Sequence, residues 1–153
     1  MNRHELVKLE DEKLIWACAD PVIQKVRGRS GLEKLQVFRK LGDGQRAVFM
    51  FQVMYGHMEH GVNGFYHQVS YLAEQMNIWP ALIMAMRYFG FDEMIDLIGK
   101  MEDDYAGKAD GRADKAITQK LDDVYRNLIP AAVKAVAERI RSNPADFILL
   151  EDE

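Results

Sequence analysis

Three of the chain's four histidines, His57, His60 and His67, lie close together, with Glu59 between the first two. Neutral imidazoles and a carboxylate are ligands for zinc and related metals, so metal-assisted chemistry would be sought here first. The spacing argues against it. His-Met-Glu-His is neither HExxH nor HxxEH, the patterns that set two histidines on one helix face beside a catalytic carboxylate. His57 and His60 are helically spaced, but Gly61 follows at once and interrupts the geometry they would share. The expectation is no metal site, the histidines being partly buried and hydrogen-bonded locally. A metal-dependent enzyme built on His57, Glu59, His60 and His67 stands as one alternative, and a structural or oligomerisation domain as another.

Other catalytic patterns are missing. The sequence holds no GxGxxG, GxxxxGK[ST] or GxSxG, so neither a nucleotide cofactor nor a serine hydrolase is expected. The single cysteine, Cys18, sits among apolar neighbours and reads as a small core residue. Asp103-Asp104 and Asp122-Asp123 are adjacent carboxylates, which diverge on a helix instead of converging on a substrate. No catalytic residue and no cofactor are expected.

Charge gives a second kind of chemistry. The net charge is only -4, but it is unevenly spread. Between Gln24 and Arg46 seven bases face two acids. Between Phe89 and Asp104 six acids (Asp92, Glu93, Asp96, Glu102, Asp103 and Asp104) face one base, Lys100. Such segments are either ordinary solvated helix faces or electrostatic docking surfaces. On the second reading the six carboxylates bind a basic face of another protein. Direct nucleic-acid binding through the bases is a third, less favoured reading, separated by its salt dependence.

These residues must be positioned by helices. No run of 18 apolar residues exists, so no membrane span is expected. The first residues carry acids where a signal peptide has its apolar core, so a cytoplasmic protein is expected. Nearly half of the residues are apolar, enough for one domain with a real core. Apolar positions from Leu6 to Val26 predict helix, broken at Asp20-Pro21. Ser30 to Glu33 has the form of a capping box, and Leu32, Leu35, Phe38 and Leu41 continue at helical spacing. Asp43 is the expected cap of a helix through Met58 that is apolar almost all round and therefore buried. Asn63 is the expected cap of its successor, in which Phe65, Val69, Leu72 and Met76 share a face. Pro80 to Phe89, closed by Gly90, is a further helix; another starts at an Asp92 cap and runs toward Asp104. Residues 106–111 read as a loop, followed by two helices, Arg112 to Leu128 and Pro130 to Ser142. Phe147 and Ile148 are expected to dock before the tail frays. The fold class is all-α: a single compact domain of about seven to eight helices with a buried central helix pair.

The stretch from Leu41 to Leu72 resembles the bacterial DNA-mimic protein family, an otherwise largely uncharacterised group. Gly44-Gln45 matches its Gly-Gln opening of a buried helix. Val62-Asn63-Gly64-Phe65 matches its Val-Asn-Gly-Gly-Phe joint with one glycine missing, and Gln68 its Gln in a run of aromatics. The Asn that usually follows is replaced by Ser70 or Tyr71. Ala81, Leu82 and Gly90, then Leu121 to Tyr125, then Ile140 to Phe147, extend the likeness over Leu35 to Phe147. The resemblance implies an all-α fold, dimerisation, and carboxylates that imitate DNA phosphates toward a DNA-binding protein.

Overall fold

The sequence's helical spacing is realised throughout. A computed structural model describes residues 1–111 and 114–149, without the side chains of 71–75. It contains α1 (Arg3–Leu6), α2 (Asp11–Val26), α3 (Gly31–Arg39), α4 (Asp43–His57), α5 (Gly61–Met76), α6 (Ile78–Phe89), α7 (Asp92–Ala109) and α8 (Lys115–Ser142). Short 3₁₀ turns follow at Met58–His60 and Pro144–Asp146. No strand occurs among the described residues, and the helices form one all-α domain. No helix among these residues is long and apolar enough to cross a membrane.

At the centre lies α4, buried as its composition requires through Ala47, Val48, Met50, Phe51 and Met54. It packs most extensively on α6 and then on α2, while α7 packs on α6 and α8. One continuous core results, reaching from Leu6 to Phe147. Phe147 docks as expected, its ring stacked 6.2 Å from that of Phe89. Gly44 is buried where the turn at Pro144–Asp146 arrives, and any Cβ there would strike the Asp146 carbonyl. The glycine of the Gly44-Gln45 pair is thus required by close packing. Arg141 on α8 reaches back across the molecule, donating to the Leu9 carbonyl at 2.8 Å and pairing with Asp11 at 2.7 Å.

Several helix ends differ from expectation. Ser30 does cap α3, accepting from the Glu33 amide at 3.2 Å. Gly90 does close α6 in the left-handed region, with the Phe91 amide bonded to the Met86 carbonyl. Asp43, however, is the first residue of α4. Gly42 is the cap, and its amide donates to the Gln45 side chain at 3.0 Å. Asp92 is likewise inside α7, whose cap is Phe91. As first-turn acids, Asp43 and Asp92 still oppose the helix dipole favourably.

Neither expected proline break occurs. Pro21 lies within α2 and Pro130 within α8, which is one helix where two were expected. Both prolines are exposed, so solvent can satisfy the carbonyl each leaves without a backbone donor. The expected loop at 106–111 is helical as far as Ala109. The expected helix start at Arg112 and fraying of 150–153 lie outside the described residues, as does the side chain of Leu72.

Candidate functional site

The acidic segment is carried by α7, whose inner face buries Met94, Leu97, Ile98 and Met101. At about 100° per residue, Asp92, Asp96 and Asp103 fall within about 40° of one another on the opposite side. All three are exposed, as is Glu93; Glu102 is half-buried. Asp92 and Asp96 are one turn apart, about 6 Å along the axis, and Asp103 stands two turns further on. Lys100 pairs with Asp96 at 3.0 Å, both side chains being largely exposed. Exposed pairs of this kind contribute roughly 0–1 kcal/mol, so the pairing lowers the local charge without fixing the geometry.

Asp104 does not belong to this face. It is buried, and its Oδ2 accepts from the Tyr66 hydroxyl at 2.9 Å and from the Thr118 hydroxyl at 3.3 Å. Lys108 Nζ donates to Thr118 Oγ1 at 2.9 Å, leaving the threonine proton available to the carboxylate. The helical position explains the correction: two residues past Glu102, the chain has turned to the margin of the buried face. The network joins α5, α7 and α8, beside the rings of Trp79 and Tyr105. Burial, then the bond to Asp104 and its charge, push the Tyr66 hydroxyl far above the usual tyrosine range. It therefore stays a proton donor.

The histidines do not assemble. His57 is half-buried at the end of α4, while His60 and His67 are exposed. Among the described residues no group of three His, Cys, Asp or Glu side chains could hold a metal ion. Cys18 is buried, and burial pushes its thiol up to about 12, so it stays protonated at neutral pH.

The joint after His60 is held in a way local spacing does not reveal. Gly61 has φ +80°, a conformation that side chains rarely adopt. Asp122 of α8 accepts from the Val62 amide at 2.8 Å, satisfying one of the orphan donors at the start of α5. Asn63, the expected cap, lies inside the first turn and is exposed. Gly64 is half-buried against His60, Phe65 is fully buried, and Gln68 is exposed. Asp122 thus has a structural role that its adjacency to Asp123 hid. Comparisons with protein-family models, curated proteins and solved structures find no match to this chain.

Proposed function

We propose that the protein is a non-enzymatic interaction module that docks a basic face of another protein on the outer side of α7. The carrying observation is that Asp92, Asp96 and Asp103 share one exposed face of a helix anchored from behind. Met94, Leu97, Ile98 and Met101 fix its inner side, and Asp104 ties it to α5 and α8. A rigid row of like charges is suited to attract and orient an oppositely charged surface. Two bases of the Gln24–Arg46 segment engage local partners: Arg29 pairs with Glu33, and Arg46 with Asp43. That supports a row available for docking. Imitation of DNA phosphates is the narrower form of this reading, resting on the resemblance of Leu35 to Phe147. The overall charge of -4, set against one charge per about 1.7 Å of duplex, counts against it. A homodimer, also implied by the resemblance, is measured by light scattering.

The test is affinity capture from the native host, repeated with Asp92, Asp96 and Asp103 all changed to lysine. The wild-type chain should retain a basic partner, with association slowed by salt. The variant should lose it at an unchanged melting temperature. Retention by the variant would overturn docking at this face, and retention together with a fall in stability or assembly would show an internal electrostatic seam. Displacement of the captured partner by duplex DNA would support the narrower form.

A further inference from the structure

A different part of the molecule carries a ligand site. Between α2, α3 and α4, closed at one end by the α5–α6 junction, lies a recess of about 510 Å³. That volume is typical of small-molecule sites, which span about 300–1,000 Å³. Its walls are apolar: Trp16 and Val26 from α2, Leu35 and Phe38 from α3, Phe49 and Val53 from α4. Two features indicate a recess the fold does not fill for itself. No residue of α3 is buried, although its apolar side faces inward. Trp16, at the recess, leaves 46% of its surface exposed.

Gln52 is the decisive residue. It sits mid-helix in α4, only 8% exposed, among these apolar walls. No hydrogen-bond partner for its side chain is found among the described residues. Yet no side-chain nitrogen or oxygen is both fully enclosed and unpartnered. The amide of Gln52 therefore opens onto the recess, with Nε2 lying over Gly56, which also lines it. In the free protein that amide is open to water entering the recess, and a ligand there can take the water's place. Among the described residues the charged groups that line it are Arg27 and Lys34, of which Lys34 already has an interaction of its own. Arg27 is exposed and has no ion-pair partner among those residues.

We propose that this recess binds a small apolar carboxylate. The hydrocarbon body lies along Trp16, Phe38 and Val53, the carboxylate meets Arg27, and Gln52 supplies a neutral hydrogen bond within the apolar wall. A guanidinium suits this role because its planar fork matches a carboxylate with two parallel bonds. The site is independent of the acidic face of α7, and either can fail without the other.

Dodecanoate is the probe, titrated by calorimetry against the whole chain, with dodecanol as the neutral control. One saturable site is expected for the acid, and weaker binding for the alcohol. Arg27→Gln should weaken dodecanoate by up to about fivefold, as for an exposed ion pair, and leave dodecanol unchanged. Val53→Trp should abolish binding by filling the recess. Trp16→Ala, at an exposed position, should weaken it several-fold and serves if Val53→Trp does not fold. Gln52→Leu should weaken binding several-fold, because the hydrogen bond inside the apolar wall is lost. Failure of dodecanoate to saturate one site, equal affinity for the alcohol, or indifference to Arg27→Gln or to Gln52→Leu would overturn the proposal.

Discussion

The acidic face of α7 and the recess beneath α3 are built on opposite plans. Helix α7 is secured by four large apolar side chains and a hydrogen-bonded carboxylate, and it presents charge outward. Helix α3 buries nothing completely, and its apolar side borders open space. The first arrangement holds charges in fixed positions, as electrostatic recognition of a surface requires. The second leaves apolar area and one amide for an incoming molecule to cover. Their difference teaches that firmness of packing is unevenly distributed, and each proposal draws on one extreme. Docking on the acidic face calls for geometry that persists without a partner, whereas a ligand in the recess would complete packing that the fold leaves open.

The contrast can be broken most sharply by truncating one apolar residue on each side. Met101→Ala, on the inner face of α7, should cost about 2–5 kcal/mol, because it opens a cavity in a closed core. Leu35→Ala, on the recess side of α3, should cost about 1 kcal/mol, because part of its surface is already uncovered and little new void is made. Chemical denaturation of both variants measures the difference. Equal costs would mean that α3 is packed as firmly as α7.

A smaller effect is expected at Asp104. Asp104→Ala should cost about 1–3 kcal/mol through loss of its hydrogen bonds. The low end of that range is expected, since both hydroxyls have fallback acceptors: Met101 O for Tyr66 at 3.1 Å and Asp114 O for Thr118 at 3.2 Å. Hydrogen exchange should then rise in α7 and at the start of α8, with α3 unaffected. The smallest effect belongs to Lys100→Ala, roughly 0–1 kcal/mol in stability, as for other exposed pairs. Its value lies in partner binding, where removing the base that pairs with Asp96 should steepen the salt dependence of association.

How much of this could be read from sequence depended on where each residue's partner lies. Ser30 with Glu33 and Gly90 after Phe89 were legible because those bonds are local. Pro21 and Pro130 were read as breaks because local propensity disfavours them, yet they lie at solvent, where packing of the flanking residues prevails. Asp104 was counted with the acidic row because its neighbours in sequence are acids. Its acceptor role depends on Tyr66, 38 positions away. Asp122 was set aside for a similar reason, the amide it caps lying 60 positions earlier. Gln52 carries no signal in the sequence that distinguishes it from its apolar neighbours' setting. Only the surrounding walls show that its amide lacks a partner.

The reach of α8 has a consequence for the order in which the chain can acquire its structure. Asp122 completes the beginning of α5, and Arg141 fastens the link before α2, 132 positions upstream. During synthesis every earlier helix is made before either residue exists. Until then the Val62 amide and the Leu9 carbonyl can be satisfied only by water or by passing neighbours. Local helices can form early, but these two closures require long stretches of chain to be brought together, an entropic cost that short-range contacts do not carry. Helix α8 thus acts as a clasp on structure begun long before it, and a nascent chain arrested ahead of Asp122 would lack the bonds that lock the start of α5 and the link before α2.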